Sequence, residues 1–64
     1  MMVEGVSYEI DWSKFQRGAS IFIPCLNPVK AKREVRETIN RLRFSILMQV
    51  VIVEGIRGLR IWRM

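Results

Sequence analysis

The chain has no histidine and one cysteine, Cys25. The first absence removes the commonest general acid–base group at neutral pH. The second excludes an intramolecular disulfide, and together they remove the usual zinc ligand sets. Proline occurs only at Pro24 and Pro28 and glycine at four positions, too sparse for a collagenous or Pro/Gly-rich disordered chain. No apolar run approaches the roughly 18 residues of a membrane span. The opening MMVEGVSYEID is acidic where a secretory signal is basic and then apolar. A cytosolic protein with Cys25 reduced and no membrane partner is expected.

What is present is ordinary for a folded protein: half of the residues are hydrophobic and 27% are charged, too apolar a mixture for intrinsic disorder. The 64 residues make a single domain, 1–64, of a size that hides only about 60% of its unfolded surface. Such a chain needs a second stabilising device. With disulfide and metal excluded, association into a homodimer or higher homo-oligomer is the expectation.

Val6, Tyr8, Ile10 and Trp12 alternate with polar residues, the period of a half-buried strand. Ser20 to Cys25 is a short β-prone run interrupted by Pro24, which ends the strand or sets it at an edge. Asn27-Pro28 reads as an N-cap followed by proline at the first helical position. Ala31, Val35, Ile39 and Leu42 then mark one apolar stripe, predicting a helix of about four turns that ends near Arg43-Phe44. The run FSILMQVVIV, Phe44 to Val53, has only Ser45 and Gln49 as polar positions and predicts a central strand. Glu54-Gly55 begins a turn, Gly58 allows a bulge or close approach, and Leu59 to Arg63 predicts a last strand. The expected fold is α+β in the order β-β-α-β-β, a four-stranded mainly antiparallel sheet with one helix on one face. Leu47, Val51 and Val53 fall on the other face, too apolar to stand in water unpartnered.

Charge is segregated along the chain. Residues 1–26 carry Lys14 and Arg17 against Glu4, Glu9 and Asp11, a net of −1; residues 27–64 carry nine Lys/Arg against Glu34, Glu37 and Glu54, a net of +6. A concentrated basic field favours an anionic partner, because it attracts phosphates at a distance and releases their counterions on contact. Lys32, Arg36, Asn40 and Arg43 are spaced four, four and three apart, a basic stripe beside the apolar one. Arg57, Arg60 and Arg63 recur every third residue with Trp62 among them, a pattern suited to stacking on a base and contacting phosphate. Alternation along a strand puts Arg60 and Trp62 on one face and Arg57 and Arg63 on the other unless a bulge shifts the register. The helix start offers a further anion site, with Lys30 one turn in.

Catalytic signals are weak. Glu9 and Asp11 lie two apart on one strand face, where solvation accounts for them. Cys25 precedes a helix start that would lower a thiol pKa, yet it has no His partner and reads as structural.

The stretch WSKFQRGASIFIPC, with Trp12, Phe15, Gly18, Ser20, Phe22 and Pro24, and the closing GLRIWR together resemble a pattern of short bacteriophage-encoded proteins. The resemblance spans nearly the whole chain. It implies a phage origin, hence the host cytoplasm and a role in nucleic-acid handling, host takeover or blocking of host defence; it carries over no functional residue and no cofactor.

The expected function is a non-enzymatic, cofactor-free basic module that binds a phosphate-bearing ligand, nucleic acid first, through Lys32, Arg36, Arg43, Arg60 and Arg63, with Trp62 stacking. Two other functions fit the same residues. One is a counter-defence protein that sequesters a nucleotide signal in pockets between subunits, and the other is an inhibitor that docks on an acidic host protein.

Overall fold

The computed structural model describes residues 1–64 as an α+β fold with one helix and two antiparallel sheets. The strands are β1 (Met2–Val3), β2 (Val6–Ser7), β3 (Ser20–Pro24), β4 (Ile46–Val53) and β5 (Ile56–Arg63). The helix α1 spans Pro28–Ile39. β1 and β2 form a small hairpin, and the larger sheet has the order β3-β5-β4.

Three expectations are corrected here. The four-stranded sheet is instead a three-stranded sheet and a separate two-stranded hairpin. The alternating Val6 to Trp12 segment forms a strand only over Val6–Ser7, against Met2–Val3, and its pairing ends with two hydrogen bonds between Tyr8 and Met1. Beyond it, Asp11 caps a 3-10 turn at Trp12–Lys14, its carboxylate accepting from the Ser13 backbone N–H at 3.1 Å. Trp12 thereby turns toward Phe15 and Phe44, with ring centroids 5.6 and 6.0 Å away. The local hydrogen bond and the aromatic contact outweigh the period-two pattern.

The second correction concerns strand order. The apolar run expected at the centre supplies the edge strand β4, none of whose residues is fully buried, and the C-terminal strand β5 is central. β5 meets β4 through a two-residue turn in which Glu54 (φ 51°) and Gly55 (φ 78°) both have positive φ, the pair of conformations a type I′ hairpin requires. Its other edge takes β3, pairing Ser20 with Trp62 through Pro24 with Gly58. Gly58 permits that approach: a Cβ there would lie 2.5 Å from the Ile23 carbonyl oxygen and 2.8 Å from Pro24 Cα. Both registers run unbroken through Gly58, so the glycine provides close approach and no bulge.

The third correction is the helix end. Asn27 accepts from the Lys30 N–H at 3.2 Å and Pro28 opens the helix, as expected. The helix stops at Ile39. Arg41 and Leu42 N–H groups then donate to the Thr38 and Ile39 carbonyls, a tighter i to i−3 pattern. Arg43 turns left-handed at φ 57°. Leu42 is consequently exposed and leaves the stripe, while Ala31, Val35 and Ile39 are buried.

Those three side chains pack on one face of the large sheet against Ile23, Leu59 and Ile61; Val3, Phe15 and Cys25 complete the core. The opposite face has no layer over it. No helix is long and apolar enough to cross a membrane.

Candidate functional site

The alternation of β5 divides its side chains between the two faces. Leu59 and Ile61 enter the core, so Arg60 and Trp62 project from the open face. Antiparallel partners share a face. Arg60 is flanked there by Phe22 of β3 and Gln49 of β4, and Trp62 by Ser20 and Leu47. The Arg60 guanidinium carbon sits 5.5 Å from the Phe22 ring centroid, and Nη1 lies 3.5 Å from Ser20 Oγ. The one ion pair in the chain is Lys14–Asp11 at 3.9 Å, so no carboxylate neutralises Arg60. Two aromatic rings and an unpaired guanidinium thus occupy neighbouring positions on a sheet surface open to solvent.

The other residues expected to bind are placed elsewhere. Lys32 and Arg36 lie on α1, where with Val29, Arg33, Glu37 and Asn40 they border a shallow groove. Since α1 covers the core face, this groove and the Arg60–Trp62 surface belong to opposite layers of the molecule. Arg43, past the end of the helix and left-handed, is exposed and out of helical phase with Lys32 and Arg36. No single flat surface of one chain unites these groups. Arg33, Glu37 and Arg41, spaced four apart, form no ion pair.

Arg63 is engaged within the fold. Its side chain is half-buried on the helix-side face, Nη1 donates to the Phe15 carbonyl at 2.7 Å, and the guanidinium lies 4.5 Å from the Phe44 ring centroid. Its buried Nε has no hydrogen-bond partner. Trp12, Phe15 and Phe44 form one aromatic cluster beside it. Arg63 therefore ties the end of the central strand to the loop before β3.

At the anion site expected at the helix start, a carboxylate of the chain itself binds the two residues just before the helix. The Glu4 carboxylate accepts from the Leu26 and Asn27 N–H groups, each at 2.7 Å. An apolar cleft nearby is lined by Val3, Tyr8, Cys25, Leu26, Ile56 and Arg57. Burial pushes the Cys25 thiol above its ordinary pKa, the Glu4 charge adds to the rise, and Arg57 opposes it. A protonated thiol is a poor nucleophile, consistent with a structural role. No group of His, Cys, Asp and Glu side chains could hold a metal ion.

Phe22 is the member of the open-face set that the sequence did not disclose. Its strand was legible, but its place opposite Arg60 depends on the β3–β5 register, which no local pattern encodes. No known protein family, curated protein or solved structure matches the chain.

Proposed function

We propose that the open face of the three-stranded sheet binds a phosphate-bearing ligand without catalysis, and that the ligand class is single-stranded nucleic acid. The observation that carries this reading is the set Phe22, Arg60 and Trp62, side by side on an uncovered surface with no carboxylate paired to the guanidinium. Aromatic rings stack on any unpaired base, and an arginine between them contacts the connecting phosphate. In this assignment Trp62 and Phe22 stack and Arg60 takes phosphate. Lys32, Arg36 and Arg43 supply long-range attraction within a chain of net charge +5. Arg63 holds the end of β5 in place and does not contact ligand. The phage-like sequence pattern agrees with a role in nucleic-acid handling.

Fluorescence anisotropy with labelled single- and double-stranded oligonucleotides tests the assignment. Trp62→Ala and Arg60→Ala are expected to weaken single-strand binding, the Trp62 change by about 1–3 kcal/mol, and to reduce the preference over duplex. Arg60→Ala, the phosphate contact, is expected to lower the salt slope by about one; Lys32→Ala and Arg36→Ala are expected to weaken binding to all sequences alike, by slowing association at low salt. Absence of binding to DNA and RNA at about 50 mM salt, where electrostatic association is favoured, overturns the reading. Calorimetry against cyclic and linear nucleotides then tests sequestration of a nucleotide signal.

A further inference from the structure

The outer edge of β4 is the least protected strand edge in the molecule. In an antiparallel ladder the hydrogen-bonding groups of successive residues alternate between the two sides of a strand. The Met64 N–H donates to the Ser45 carbonyl at 3.0 Å, and the register runs without a break from Ile46–Arg63 to Val53–Ile56. Leu47, Gln49, Val51 and Val53 therefore bond to β5. The N–H and C=O groups of Ile46, Met48, Val50 and Ile52 point the other way, to a side where no strand lies.

Exposed edges in folded proteins are ordinarily blunted by charge, proline, bulges or shortness. The edge of β3 is treated so: it has five residues and ends in Pro24. β4 has eight residues, ILMQVVIV, with no charge and no proline, and its pairing contains no bulge. Leu47, Val50 and Ile52 are 46%, 43% and 71% exposed along it.

We infer that β4 pairs antiparallel with β4 of a second copy of this chain, about a two-fold axis through Gln49, joining the two three-stranded sheets into one. The register follows from the unpaired backbone. Setting Ile46 opposite Ile52 and Met48 opposite Val50 of the second copy gives every outward N–H and C=O a partner, whereas a shift in either direction leaves groups unpaired at both ends. A strand paired with its own copy forms an isologous interface that closes as a dimer.

Charge favours the same alignment. Two copies of net charge +5 repel, but β4 brings no charge into the seam. Glu54, which follows β4, comes beside the Phe44 end of the second copy's strand, next to Arg43. Both are exposed and neither has an ion-pair partner within its own chain. The pairing brings these opposite charges together at each end. It also places Leu47 against Val51 of the second copy on the open face, so that two Phe22–Arg60–Trp62 sets lie on one continuous surface. The inference rests on backbone geometry and holds whatever ligand that surface takes.

Sedimentation equilibrium and oxidative cross-linking test it. The intact chain is expected to be a dimer in the micromolar range. Val50→Pro removes an outward N–H and none that bonds to β5, and is expected to raise the dimer dissociation constant at least about tenfold, ~1.4 kcal/mol, with an unchanged circular dichroism spectrum. On the otherwise intact chain, Gln49→Cys is expected to cross-link to itself. Leu47→Cys is expected to cross-link to a Val51→Cys copy and not to itself, because Leu47 lies opposite Val51 of the second copy while the two Leu47 residues are offset by four positions along the seam. A monomer over the whole concentration range overturns the proposal, as does a dimer in which Leu47→Cys self-links as readily as Gln49→Cys. If Val50→Pro fails to fold, the cysteine pattern alone decides.

Discussion

Leu59 and Leu47 belong to paired strands of one sheet and face opposite ways. Leu59 is fully buried under α1, whereas Leu47 is 46% exposed on the face that nothing in the chain covers. Arg63 and Arg60, three residues apart on β5, divide similarly. The first is held by Phe15 and Phe44, the second lies over Phe22 with no anionic partner. The helix-side face is covered over Leu59 and Ile61 by α1, and the other face is not covered. Function is therefore to be sought on the open face, where a residue type that elsewhere stabilises the fold is free to meet a partner.

The largest expected effect separates the two leucines. Leu59→Ala removes a side chain from the core and is expected to cost about 2–5 kcal/mol, most of the stability of so small a domain. Leu47→Ala is expected to cost less than about 1.5 kcal/mol, since only part of its apolar surface is buried. Urea denaturation at low protein concentration measures both. Equal costs would mean that the open face is covered in solution.

The arginines give the next effect. Arg63→Ala loses a charge-assisted bond to a backbone carbonyl and is expected to destabilise by about 1–3 kcal/mol. Arg60→Ala is expected to change stability by no more than about 0.5 kcal/mol, as surface substitutions usually do, while weakening oligonucleotide binding. The reverse ordering in thermal melts would exchange the roles assigned to the two residues.

The smallest effect concerns Cys25. Its thiol pKa is raised in the folded chain by burial and by Glu4, so the folded state holds this proton to higher pH than the unfolded state does. The resulting stability is present below the ordinary thiol pKa and is lost as pH rises through the raised, folded value. Cys25→Ser is expected to flatten that alkaline decline, and alkylation of the native thiol should accelerate only above the usual thiol range. Rapid alkylation at neutral pH would argue for a reactive cysteine instead.

Much of the local structure was legible. Asn27-Pro28 marked the helix start, Glu54-Gly55 marked the hairpin, and the parity of β5 put Arg60 and Trp62 on the face opposite Arg57 and Arg63. Leu47, Val51 and Val53 were assigned to the open face, where the register places them. These signals are local, set by a cap, a turn conformation or a side-chain period. Glu4-Gly5 carries the same turn signal as Glu54-Gly55, with φ again 51° and 78°, and could have disclosed the β1–β2 hairpin. Its strands are only two residues long, and the alternation through Trp12 obscured it.

What could not be read locally depends on residues far apart in sequence. An apolar run looks the same whether it ends at the centre of a sheet or at its edge; β4 became the edge because β3 attaches across β5, at the place where Gly58 lets Ile23 and Pro24 approach. Arg63 looked available until Phe15 and Phe44 were brought to it, and Phe22 joined Arg60 only through a pairing that spans 38 residues. The helix start, the β4–β5 hairpin, the faces of β5 and the basic character of the second half could be read along the chain, because propensity, turn chemistry and charge act within a few residues. Tertiary structure decided which of those basic and aromatic side chains are engaged within the chain and which remain free, because strand order and register are settled by long-range packing.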